Sequence, residues 1–137
     1  MQGFFRIPAR LHLGLILMTE LAMAHERQDA RALSLREVAE RMKISEGFLE
    51  EIAASLKQAG LIVGVTGPKG GYRLAKPPDK ITARDIVTAI EGPVHLVDCH
   101  GEGTCPVENL CQSKNLWNFL RDAVDDSLKA KKLTDLC

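Results

Sequence analysis

Aromatic side chains are scarce in this 137-residue chain, at 4% of residues. That shortage excludes a platform of stacked rings for RNA or single-stranded nucleic acid. Net charge is also missing, because 18 Lys and Arg balance 18 Asp and Glu. Any contact with nucleic acid must therefore come from a local patch. No stretch approaches the roughly 20 consecutive apolar residues of a membrane helix. Arg6, Arg10, the apolar Leu11–Met18 and the triplet Ala22-Met23-Ala24 imitate a signal peptide, but Glu20 interrupts it. The same stretch serves as an amphipathic helix, so a cytoplasmic protein without membrane contact is expected. The chain has no nucleophile–base pairing, no phosphate-cradling loop before a helix and no carboxylate pair, so an enzyme is not expected.

Hydrophobic residues at 45% and charged residues at 26% are the proportions of a globular chain. The length fits one domain, or a small domain with an oligomerising extension. Leu11, Leu15, Met18, Leu21 and Ala22 recur at helical spacing and predict a helix from Pro8 to His25. Ser34 and Glu37 form an S-x-x-E capping box at the start of a second helix. After the connector Lys43-Ile44, Ser45 caps a third helix with Phe48, Leu49, Ile52, Ala53 and Leu56 on its apolar face, and Gly60 stops it. Leu61–Thr66 and Tyr72–Leu74 read as strands around the turn Gly67-Pro68-Lys69-Gly70-Gly71. Thr82 and Asp85 open a fourth helix that ends at Gly92-Pro93. A long helix from Glu108 or Ser113 to Lys131 carries the stripe Leu116, Trp117, Leu120, Val124 and Leu128, and Thr134 caps a last short turn.

The order of these elements predicts a mainly α fold with a small β-hairpin wing. A winged helix-turn-helix occupies 1–92, a cysteine-bearing loop 93–112, and a long dimerisation helix with a C-terminal turn 113–137. A lone amphipathic helix after a complete small domain needs a surface to cover, and the same helix of a second subunit is the economical one.

From Lys57 to Arg84 the chain carries six cations (Lys57, Lys69, Arg73, Lys76, Lys80 and Arg84) against one acid, Asp79. Such side chains contact phosphates and set register. The third helix is instead acidic at Glu46, Glu50 and Glu51. That face is either simply solvated, or Glu50 penalises wrong sites, since a carboxylate accepts only from cytosine N4. The acidic helix also leaves room for a module that docks a protein rather than DNA.

Cys99, Cys105 and Cys111 stand five residues apart, with no C-x-x-C pair. Structural zinc usually uses two close pairs, which makes this a poor zinc pattern. Three thiolates from one loop can wrap an iron–sulfur cluster. The same thiols can alternatively act without a cluster, by oxidation to a sulfenate or disulfide. Candidates for a fourth cluster ligand are His12, His95, His100, Cys137, Asp98 and Glu102.

Ser34–Arg41 (SLREVAER), Ile44–Glu50 (ISEGFLE), Leu56-x-x-Ala59-Gly60-Leu61, Thr66–Tyr72 (TGPKGGY) and the C-x5-C-x5-C loop together resemble the IscR/NsrR-type (Rrf-type) winged-helix transcriptional regulators. The resemblance runs from about Arg10 to Leu136. It implies a homodimer on two-fold double-stranded operator DNA, with a 2Fe–2S or 4Fe–4S cluster on Cys99, Cys105 and Cys111. It also implies Ser45, Gly47, Phe48 and Glu50 in the major groove and Lys69, Gly70 and Tyr72 on a wing in the minor groove. Ser34, Glu46, Lys57 and Arg73 complete the expected DNA interface. Lys114 stands where the IscR branch has its ligating histidine. In the NsrR branch a first-helix acid from the partner subunit ligates the cluster, and His12 stands at about that position, so the resemblance makes His12, supplied in trans, the first choice as fourth ligand.

Overall fold

The computed structural model describes residues 6–27, 32–68, 70–97 and 110–137. Helix α1 spans Ala9–Glu26, with Pro8 as its N-cap. Pro8 fixes the turn without losing a needed donor, and its carbonyl accepts from Leu11 and His12. Helix α2 covers Leu35–Met42 and α3 covers Glu46–Gln58. Strands β1 (Ile62–Val65) and β2 (Gly71–Leu74) pair antiparallel, with Gly64 opposite Tyr72. A 3-10 turn at Pro78–Lys80 leads into α4, Ala83–Glu91. Helix α5 is Lys114–Ala130, and the 3-10 turn Leu133–Leu136 ends the chain.

The caps divide between expectation and outcome. The Ser45 hydroxyl accepts from the Phe48 N–H, and Thr82 with Asp85 makes a complete reciprocal box. Gly60, at φ +79, closes α3 while the Leu61 N–H donates back to the Leu56 carbonyl. The Ser34 box does not form, since the Ser34 side chain makes no cap hydrogen bond. Glu37 still sits in the first turn of α2, where a carboxylate suits the helix dipole. At the C-terminus Thr134 lies inside the turn rather than capping it, and the Lys132 N–H donates to Asp135 Oδ2.

One core unites these elements, built from α1 (Leu17, Met18, Leu21), α2 (Val38), α3 (Leu49, Leu56), β1 (Ile62), α4 (Ile86) and Leu133. Gly14 lets α1 close on α4, because a Cβ there would collide with Ile90. Two features have no periodic signature in the sequence. Leu33 bridges to Tyr72, its N–H donating to the Tyr72 carbonyl at 2.8 Å and the Tyr72 N–H returning at 2.9 Å. Gly71 allows this approach, since its φ is +154 and a Cβ would meet the Leu33 carbonyl. The second feature is the return of the C-terminus. The Ala83 N–H donates to the Lys131 carbonyl and the Leu133 N–H to that of Ile81, both at 2.8 Å.

The expected stripe of α5 splits. Trp117, Leu120 and Leu128 are half-buried, whereas Leu116 and Val124 are exposed together with Phe119. One side of α5 is taken by α4, to which Asp125 reaches Arg84 at 2.8 Å. The other side is left apolar and open.

Candidate nucleic-acid interface and thiolate segment

The helix-turn-helix is set by a single left-handed residue. Lys43 adopts φ 58 and ψ 47, and the Ile44 N–H donates to the Ala39 carbonyl, so the chain reverses before Ser45. Burial of Leu49, Ile52, Ala53 and Leu56 then fixes which side of α3 faces outward. Ser45, Glu46, Gly47, Glu50, Glu51 and Lys57 are exposed. Among the described residues, Glu46, Glu50 and Glu51 form no ion pair, so the acidic face is open to whatever α3 meets. Phe48 is half-buried and packs against the edge of the core. Ser34 is half-buried at the start of α2, beside Gly71.

The hairpin brings residues of α3 and of the wing together. A Cβ on Gly64 would stand 3.7 Å from Lys57 Nζ and 3.8 Å from the Tyr72 ring. Lys57, Gly64 and Tyr72 therefore share one spot where α3 meets the wing. Arg73 is exposed opposite Val63, and the Gly70 N–H closes the turn onto the Gly67 carbonyl at 2.9 Å. Lys69, expected at the wing tip, lies outside the described residues. The basic stretch read from the sequence is not one patch: Lys76 and Arg84 line a groove between α3 and α4 instead.

Of the three clustered cysteines, Cys99 and Cys105 lie outside the described residues, as do the candidates Asp98, His100 and Glu102. Cys111 is half-buried just before α5, with its Sγ 3.3 Å from Ser113 Oγ. The Ser113 hydroxyl and amide, then the amide and charge of Lys114, hold its thiol below the ordinary value. A thiolate there is a ready donor to a soft metal and a ready nucleophile. Cys137 differs: burial and the charge of Glu26 push its thiol up, and its Sγ lies 3.4 Å from the Leu133 carbonyl. His12 is on the exposed side of α1, and His95 is exposed beyond α4. Among the described residues no group of three His, Cys, Asp or Glu side chains is assembled within one chain.

A family model described as Rrf2, iron-dependent transcriptional regulator, matches residues 7–137. The chain belongs to the Rrf2 family. Rrf2 membership accords with the five helices and two-stranded hairpin among the described residues, which match the winged-helix regulators of known structure. The HTH-type transcriptional regulator CymR of Bacillus subtilis is 36% identical over 96% of this chain and 88% of its own length. Its solved structure, described as the global cysteine regulator, superposes with a TM-score of 0.77, 34% identity and coverage of 96% of this chain and 95% of that one. IscR of Aliivibrio salmonicida is 34% identical over 74% of this chain, but the match spans only 61% of that protein. An oxidised form of Staphylococcus aureus CymR also matches, with a TM-score of 0.74, 34% identity and coverage of 96% and 95%. These relatives are transcriptional regulators. Among the described residues, no helix is long and apolar enough to cross a membrane.

Proposed function

We propose that this Rrf2-family chain is a cytoplasmic homodimeric regulator that binds double-stranded operator DNA and adjusts its affinity through Cys99, Cys105 and Cys111. The observation that carries the DNA reading is α3, with one face locked into the core and the other, which carries Lys57, exposed beside a hairpin that presents Arg73. In this reading Ser45, Gly47, Phe48 and Glu50 meet the major groove. Lys69, Gly70 and Tyr72 meet the minor groove, and Ser34, Glu46, Lys57 and Arg73 complete the interface. The open apolar side of α5 supports a second copy as the dimer partner. Exposed Leu116 and Phe119 there would otherwise leave a costly apolar patch in water.

For the switch, the comparisons support a cluster-free thiol regulator more than a cluster regulator, because the CymR likeness spans nearly the whole of both chains. An accessible Cys111 held by Ser113 fits that chemistry. A peroxide-class oxidant would take two electrons from a pair of thiols, leaving a disulfide in the segment between α4 and α5. The even spacing of three cysteines favours a second reading, an iron–sulfur cluster on Cys99, Cys105 and Cys111 with His12 of α1 as the fourth donor from the other subunit. When bound, such a cluster supplies a one-electron or nitrosylation-sensitive centre. On either reading, a change in 93–112 acts on α5, and α5 is bonded to α4, which packs on α3. A typical coupling of about 1–3 kcal/mol corresponds to roughly 5–150-fold in operator affinity.

The deciding measurement is iron and acid-labile sulfide per subunit on protein purified without oxygen, paired with operator binding before and after peroxide treatment. Colourless protein whose operator affinity changes with peroxide and recovers with dithiothreitol supports the thiol switch. Brown protein with stoichiometric sulfide, whose colour fades in the His12→Ala variant, supports the cluster. Operator binding that ignores both treatments overturns the proposed switch.

A further inference from the structure

Lys76 and Arg84 belong to the basic stretch but stand away from the wing tip. The Ala75 N–H donates to the Leu61 carbonyl at 3.0 Å, which puts Lys76 at the base of the hairpin, where the chain leaves α3. The tip lies beyond four paired residues, roughly 13 Å away at about 3.3 Å per residue. At the base the two cations flank a groove of about 530 Å³ between the C-terminal half of α3 and α4, which Ser55, Gln58, Leu61 and Thr88 also line. This volume lies within the range of small-molecule sites, roughly 300–1,000 Å³.

The lining is short of negative charge. Among the described residues the side chains of Lys76 and Gln58 have no hydrogen-bond or ion-pair partner. Arg84 gives its Nε to Asp125 at 2.8 Å and has no other ion-pair partner among the described residues. The one carboxylate on the groove, Asp85, already accepts the Thr82 N–H through Oδ2 as part of the α4 cap. An arginine beside an unpaired lysine is suited to a carboxylate or phosphate group.

We infer that the groove between α3 and α4 is a binding site for a small metabolite bearing a carboxylate or phosphate, with its anionic group between Lys76 and Arg84. Gln58, Ser55 and Thr88 offer polar contacts to the rest of the ligand, and Leu61 offers an apolar one. An anion there competes with Asp125 for Arg84 and so loosens the ion pair between α4 and α5. That effect on operator affinity rests on the DNA-binding reading above; ligand binding itself does not.

The test uses the full-length ¹⁵N-labelled protein without DNA, titrated with inorganic phosphate and, separately, with citrate. At least one of the two anions is expected to give saturating amide shifts centred on Ser55, Gln58, Lys76, Arg84 and Thr88. Lys76→Ala is expected to weaken that binding about tenfold, the scale of one charged hydrogen bond, with an unchanged melting temperature because Lys76 is exposed. Shifts that fail to saturate with both anions, or that are the same in Lys76→Ala, overturn the inference. A second arm separates a metabolite from the DNA backbone as the source of the anion. If Lys76→Ala leaves the salt dependence of operator binding unchanged, the groove serves a small ligand. If it makes the slope shallower by about one counterion, the lysine is a DNA phosphate contact and the inference fails.

Discussion

Cys111 and Cys137 show how two thiols in one chain acquire opposite reactivity. Hydrogen bonds from Ser113 and the nearby Lys114 favour the Cys111 thiolate, whereas burial and Glu26 disfavour that of Cys137. The thiolate fraction rises as pH passes upward through the pKa. Cys111 therefore starts to react at a lower pH than Cys137, and the gap narrows when both are ionised. Iodoacetamide labelling read by peptide mass spectrometry between about pH 6 and 9 checks this, and equal rates near neutrality would refute it. The sequence carries the residue types of the site but only part of their surroundings. Phe48 reads as both a core position and a groove contact, and the structure puts it half-buried at the core edge. Nothing in the Ser34-to-Glu37 spacing announces that the Ser34 hydroxyl will not cap α2.

At the scale of elements, periodicity and caps made most of the fold legible. The boundaries of α3 follow from Ser45 and Gly60, and those of α4 from Thr82 and Gly92, because local chemistry at each end satisfies the orphan backbone groups. The pairings that escape such reading join residues remote in the chain through one or two hydrogen bonds: Leu33 with Tyr72, and Lys131 and Leu133 with Ala83 and Ile81. Too few residues pair to leave an alternating pattern. The split of the α5 stripe has a similar cause, since a helix with two partners shows one broad apolar band in sequence whichever residues face each partner. Leu133 is the anchor of the C-terminal return and is wholly buried. Leu133→Ala should lower stability by about 2–5 kcal/mol in urea unfolding, the range for a buried leucine whose site cannot collapse. A loss below about 1 kcal/mol would mean that the return segment is only loosely seated.

For the whole molecule, the proposed dimer makes a sharp demand on α5. Phe119 is 68% exposed and Leu116 52% exposed on the side that α4 does not cover. Phe119→Asp should yield monomers in sedimentation equilibrium, since it puts a charge into the proposed subunit contact without touching the core. Operator affinity should then fall by about a hundredfold or more, because two tethered recognition helices bind far better than one. A dimeric Phe119→Asp protein with full affinity would place the partner surface elsewhere.

The C-terminal return has one more consequence. The chain leaves the winged domain after α4 and rejoins it at Lys131 through backbone bonds to Ile81 and Ala83, with Leu133 sealed in the core. The cysteine segment and α5 thus form a closed loop tied at both ends rather than a tail. A single proteolytic cut between Gly92 and Cys99 should leave two fragments that co-elute under native conditions and separate only in denaturant. The nicked protein would keep its shape while losing the covalent path from the cysteines to α4. Comparing nicked with intact protein would then separate what the loop transmits by its tether from what α5 transmits by its packing.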